Sequence, residues 1–329
     1  MADPLIAAAT GLVSRLIGDF IKVAAKSVAI EVAEFNTPAK IRSLSRKLGS
    51  YEKIKTIKDP DKASKISSFY VSPQFTEDSK SSFCANNVDD FGCEEHTLIE
   101  GIAGQGKSVF MRQLCVEEIK LGRRLPVLIE LRKITSTKGL GEFVLEYLRT
   151  VGFCRCDDIW SYLLESGFAV LLLDGYDEVP EQCRMQLIHD INALAMSNDQ
   201  LRIVLTSRPE PSIKGASCFR TVRMCRLDNT KRDAIIKKIC DRSTAAKLIA
   251  KMGKNDSLSE IVDTPLFATL LCIVYRIERR LPETVNEFYD MVFQTLLYRH
   301  DDHKEGYERP RKPPVSRKMS PLSSLHPGA

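Results

Sequence analysis

The stretch Gly101-Ile102-Ala103-Gly104-Gln105-Gly106-Lys107-Ser108 follows an apolar run ending in Leu98-Ile99 and precedes a run with helical spacing. Three glycines let backbone N–H groups turn inward without Cβ clashes, and a lysine and a hydroxyl close the loop. The stretch fits G-x-x-x-x-G-K-[ST], a polyphosphate cradle when a strand precedes it and a helix follows. The helix starting at Lys107 adds the positive end of its dipole. Lys107 is then placed to reach the β- and γ-phosphates and Ser108 to ligate Mg²⁺. Gly101, Ile102, Ala103, Gly104, Gln105, Gly106 and Val109 complete the expected binding loop.

The surrounding pattern predicts an α/β fold. Thr97–Glu100, Val127–Leu131, Ala169–Leu173 and Ile203–Thr206 are short apolar runs that predict strands. Between them Lys107–Leu121, Leu140–Val151 and Glu181–Met196 carry helical periodicity. Such alternation predicts a parallel sheet flanked by helices. From Thr230 to Arg299 the pattern is helical almost throughout, and the Pro/Ser-rich end at 313–329 predicts disorder.

Two further segments bear on the loop. In Ala169–Pro180 (AVLLLDGYDEVP) a buried strand runs into Asp174, Asp177 and Glu178. A carboxylate at the tip of a parallel strand faces the ligand crevice. Asp174 is therefore the expected Mg²⁺ partner, in the manner of a Walker B site, and Asp177 or Glu178 would orient or deprotonate an attacking water. An acidic helix start is the alternative reading of that pair. In Arg202–Glu210 (RIVLTSRPE) another strand delivers Arg208 towards a γ-phosphate. No N-K-x-D guanine-reading segment occurs, which favours adenine.

Composition narrows the rest. With 43% hydrophobic and 28% charged residues, the 329-residue chain is globular rather than disordered, and a net charge of +5 implies no nucleic-acid partner by itself. Ten cysteines without a secretory signal or paired zinc spacing predict reduced thiols in a cytoplasm. Between residues 40 and 65 nine Lys/Arg face only Glu52, Asp59 and Asp61, a solvated helical surface or an electrostatic docking patch. Residues 3–34 form one amphipathic helix by pattern, with Leu5, Leu12, Leu16, Phe20, Ala24 and Val28 on its apolar side. Charges interrupt every apolar span of eighteen residues, so no integral membrane segment is expected. Covering the next domain, meeting a partner helix and lying on a membrane surface all remain open for this stripe.

Taken together, GIAGQGKS, LLLDGYDE, TSRP and DTPLFATLLCIVY (Asp263–Tyr275) resemble NACHT-type NTPases of the STAND class. Leu281–Lys312 is similar to the stretch that follows in bacterial NACHT proteins of antiphage defence. The resemblance covers roughly residues 70–312. It implies an ASCE-type P-loop fold, with 1–66 a helical effector, adaptor or covering region, 67–226 the nucleotide-binding domain and 227–312 a helical subdomain. It also implies that Pro265 packs on the adenine, that ATP or ADP with Mg²⁺ controls shape and self-association, and that hydrolysis is slow. The trigger and the effector partner are not legible, and no nucleic-acid motif is seen. Family members continue into winged-helix and sensor regions, which 313–329 does not resemble. A nucleotide-binding scaffold without turnover and a metabolic P-loop kinase are the competing expectations.

Overall fold

Residues 3–302 are described by a computed structural model, apart from 78–80, 93–95, 136–137, 211–212, 214–215 and 254–255. The chain begins with α1 (Pro4–Val23), α2 (Lys26–Phe35) and α3 (Pro38–Gly49), then a two-stranded antiparallel ribbon, β1 (Lys53–Ile54) and β2 (Ser64–Lys65). Two short strands, β3 (Gln74–Thr76) and β4 (Ser82–Cys84), lead into β5 (His96–Glu100). The alternating part continues through α4 (Lys107–Leu121), β6 (Leu125–Glu130), α5 (Leu140–Val151), α6 (Cys156–Ser166), β7 (Ala169–Asp174), α7 (Glu181–Ser197), β8 (Arg202–Ser207) and β9 (Phe219–Met224). Five helices follow: α8 (Asn229–Ile239), α9 (Arg242–Met252), α10 (Asp256–Ile261), α11 (Pro265–Glu278) and α12 (Val285–Asp302). Segments 303–312 and 313–329, including the tail expected to be disordered, lie outside the described residues.

The main sheet runs β4-β3-β9-β5-β8-β7-β6, with β9, β5, β8, β7 and β6 parallel and β3 and β4 antiparallel at one edge. β8 lies between β5 and β7, the arrangement expected of an ASCE-type P-loop fold. Because side chains alternate across a strand, each central strand feeds two cores. Ile99, Val170, Leu172 and Val204 join Phe110, Met111 and Leu114 of α4 on one face. Leu171, Leu173 and Leu205 join Val144, Ile159 and Leu187 of α5, α6 and α7 on the other. This burial on both faces is why β7 reads as an unbroken apolar run.

The N-terminal region departs from expectation. The single helix predicted over 3–34 is broken at Ala24 and Ala25, whose ψ angles of 152° and 144° are extended. No glycine or proline marks the break. Leu5, Ala9, Leu12, Val13, Leu16, Ile17 and Phe20 are buried in the same core as Val116 and Ile119 of α4. Arg15, on the opposite side of α1, donates to the Arg123 carbonyl at 2.9 Å and lies over the Phe168 ring at 4.4 Å. By length and composition alone α1 would pass for a membrane span, but it carries Arg15, Asp19 and Lys22 and much of it is buried within the fold, so it makes no clear span. In the fold the stripe that would face lipid faces α3 and α4.

Candidate functional site

All parallel strands end on one side of the sheet, and the candidate residues gather there. The loop after β5 is fixed at its start by Gly101 N–H donating to the Ser207 carbonyl at 3.0 Å. Gly104 and Gly106 have φ of +80° and +88°, a left-handed backbone that side chains with a Cβ rarely adopt. These two turns curl the loop and aim the N-terminus of α4 at its centre, where orphan N–H groups and the helix dipole favour an anion.

Lys107 Nζ spans the loop mouth, donating to the carbonyls of Gly101 at 2.5 Å and Ile102 at 3.1 Å. Burial pushes its ammonium below the usual lysine range; Asp177 chiefly opposes this, while Arg208 adds to it. Gln105 behaves differently from the ligand-facing residue expected of it. Its side chain turns inward, accepting from Ile102 N–H at 2.7 Å and donating to the Met224 carbonyl at 3.0 Å. The Ile102 N–H is thereby engaged within the loop.

Opposite the loop, β7 delivers Asp174. The buried Thr206 hydroxyl of β8 donates to Asp174 Oδ1 at 2.7 Å and accepts from Gly175 N–H at 2.9 Å, which fixes the carboxylate at the strand tip. Asp177 is held by Arg208 twice, from its N–H at 3.0 Å and from its Nε at 2.9 Å. Arg184 braces the turn behind them, donating to the carbonyls of Asp177 at 2.8 Å and Val179 at 2.9 Å. Glu178 is exposed and curls back over Gly175.

The third wall is the start of α11. Thr264 caps it, accepting from Phe267 N–H at 3.3 Å, with Pro265 at its first position. Leu266 N–H donates to the Gly104 carbonyl at 3.1 Å, so loop and helix touch through their backbones. A Cβ on Gly104 would stand 2.9 Å from Leu266 Cβ, which makes glycine necessary there for space as well as for φ.

These elements enclose a cavity of about 430 Å³, lined by residues 102–110, Asp174, Gly175, Asp177, Glu178, Arg208, Pro265 and Leu266. The structure thus brings Ser108, Asp174 and Lys107 to one space, with Pro265 on its rim. Gly101 lies at the base of the loop outside that lining. Asp174 and Ser108 offer the hard oxygen donors that suit Mg²⁺. The remaining wall carries no recognisable motif. Residues 54–59 and 68–71, with Lys231, Ile235 and Ile239 of α8, close the far end.

No family model matches the chain. Among curated proteins it is similar to NLR family CARD domain-containing protein 4 of Bos taurus, 22% identical over 216 residues. That match covers 63% of this chain and 21% of that protein, so the chain spans about a fifth of its relative's length. The chain has a P-loop NTPase fold, and the order of its motifs resembles that of NACHT/STAND-type proteins. Among solved structures, the chain is similar to a STAND protein with a tetratricopeptide repeat sensor from Pyrococcus horikoshii (TM-score 0.39, 16% identity, 63% of this chain and 31% of that one). It is also similar to the Aeropyrum pernix ORC1 protein solved in complex with DNA (TM-score 0.38, 15% identity, 61% of this chain and 59% of that one).

Proposed function

We propose that this chain is a nucleotide-controlled switch that binds ATP or ADP with Mg²⁺ at the glycine loop. The observation that carries the reading is the backbone contact between Gly104 and Leu266, because it couples a phosphate-sized cradle directly to the first turn of α11. A ligand moves such an equilibrium only through contacts that differ between its two states. Lys107 and the N–H groups of residues 103–109 hold the β-phosphate, and Arg208 exchanges Asp177 for a γ-phosphate when one is present. Ser108 and Asp174 hold Mg²⁺, which neutralises phosphate charge. Pro265 packs on the base. On this reading residues 67–226 form the nucleotide domain, 227–312 the helical subdomain, and 1–66 an effector, adaptor or covering region. Self-association on activation, a cytoplasmic setting and a role in defence against phage follow from the family resemblance and belong to the same proposal.

One observation favours a reading without turnover. Both oxygens of Asp177 are engaged by Arg208, a structural use of that carboxylate. Glu178 is then the group left to orient water. Single-turnover ATP hydrolysis by the full chain separates the two readings. Glu178→Gln is expected to slow hydrolysis by at least about tenfold, within the usual contribution of general-base catalysis, while ATP binding is kept. No hydrolysis by the parent above the rate in buffer, with ATP binding kept, would favour the scaffold, and equal rates in parent and variant would remove Glu178 from the water-orienting role.

A further inference from the structure

Gln105 sits at a variable position of the loop, yet only 5% of its surface is exposed. Its two hydrogen bonds run in opposite directions, one to the loop's own Ile102 and one to the end of β9 at Met224. From Met224 the chain passes through 225–228 into α8. That passage is itself pinned to the segment before α11, since Leu227 N–H donates to the Asp263 carbonyl at 2.7 Å and Arg226 pairs with Asp263. One buried amide therefore ties the phosphate-side backbone to the strand that carries the helical subdomain. Such a group is satisfied only while both partners stay in place.

The same amide accounts for Gly101. This glycine is not among those with positive φ, so its backbone does not require the residue. A Cβ there would stand 2.6 Å from Gln105 Oε1, whereas its next neighbours, Lys107 Cδ and Met224 Cβ, lie at 3.4 Å. Of the nearest groups, the Gln105 amide alone stands closer to a Cβ at position 101 than ordinary van der Waals contact.

We infer that the Gln105 side chain is a positioning group of the nucleotide site, a brace that sets the shape of the loop while making its own hydrogen bonds to protein rather than to ligand, and that Gly101 is glycine to make room for it. The inference deepens the nucleotide reading and rests on it for its affinity readout. The removal of Gln105 frees Ile102 N–H and unties the loop from β9, so the cradle must be reordered each time a ligand binds. The loss of the two hydrogen bonds that order the cradle is expected to weaken affinity roughly tenfold.

The test is a double-mutant cycle on the full chain: the parent, Gly101→Ala, Gln105→Ala and the double variant. Each is titrated with a fluorescent ADP analogue and Mg²⁺, and each is melted without nucleotide. Gln105→Ala is expected to weaken binding about tenfold. Gly101→Ala alone should cost about as much, because it displaces the amide. Added to Gln105→Ala, it should cost less than about twofold more, since the clash is gone. Gln105→Met, which keeps length but loses both hydrogen bonds, should match Gln105→Ala. Additive penalties, or parent-like binding by Gln105→Ala, would overturn the brace. If the parent itself does not bind the analogue, the nucleotide reading fails instead. The melting temperatures then decide the brace: a Gly101→Ala loss that vanishes with Gln105→Ala supports it, and an additive loss overturns it.

Discussion

Lys107→Ala is expected to remove measurable binding of ATP and ADP while leaving the melting temperature without nucleotide within about 2 °C of the parent. The ammonium makes its hydrogen bonds to loop carbonyls at the cavity mouth, not to the core. Its loss leaves two carbonyls to be met by water, which costs little. For a bound polyphosphate the loss is far larger, because Lys107 lies in a part-buried space shared with Asp174, Asp177 and Glu178 and supplies positive charge among those carboxylates. A charge-assisted hydrogen bond left unmade in such a site costs several times a neutral one. In the parent, saturating nucleotide should raise the melting temperature by mass action: at a hundredfold over Kd the gain is about 2.7 kcal/mol. Thermal melts with and without nucleotide check both halves. The full nucleotide-dependent rise in the variant would refute the loop assignment.

Deletion of residues 1–35 is expected to leave the remaining chain insoluble or unfolded at ordinary temperature. Seven side chains of α1 are buried, four of them aliphatic residues at 2% exposure or less: Leu12, Val13, Leu16 and Leu5's neighbour Ala9. Burying a large aliphatic or aromatic side chain contributes about 1.5–3 kcal/mol. The stripe as a whole therefore rivals the net stability of about 5–15 kcal/mol typical of a domain. The milder Leu16→Ala should cost about 2–5 kcal/mol by chemical denaturation, as for other fully buried leucines. If the truncated chain melts and binds nucleotide like the parent, α1 is a detachable signalling element and its packing against α3 and α4 is incidental. The same result would reopen docking of the stripe on a partner or a lipid surface, which the observed packing disfavours because each apolar side chain would first have to leave the core.

The parts of the site legible in the sequence are those whose chemistry is written in consecutive residues. The glycine loop declares itself because glycine at 104 and 106 takes up the left-handed turns at φ of +80° and +88° without a Cβ penalty. Asp174 is visible because five apolar residues lead straight to it, and a strand buried on both faces has no other reason to end in a carboxylate. β9 was not legible: Arg220 and Arg223 interrupt its apolar positions, since it lies between the short β3 and β5 with exposed alternate residues. α6 starts from Arg155 in a left-handed conformation with no side-chain cap, so nothing local announces it. The apolar stripe of α1 demanded a cover, but periodicity states that a face is buried and not against what. Gln105 shows the limit most plainly. A motif fixes where a residue falls in the loop, while its side chain follows the space left by β9, a strand more than a hundred residues away. The far wall of the cavity, at 54–59 and 68–71, has the same origin in tertiary contact alone.

The central claim is that nucleotide at the glycine loop governs the seating of α11 on Gly104. Hydrogen exchange of the full chain, compared without nucleotide, with ADP and with a non-hydrolysable ATP analogue and Mg²⁺, tests it most directly. With either nucleotide, amides of residues 103–109 should gain protection. With the ATP analogue alone, the Leu266 amide, whose acceptor is the Gly104 carbonyl, should lose protection together with the start of α11. Unchanged exchange at residues 103–109 with both nucleotides would contradict nucleotide binding at this loop, and identical exchange at Leu266 in all three states would contradict the switch.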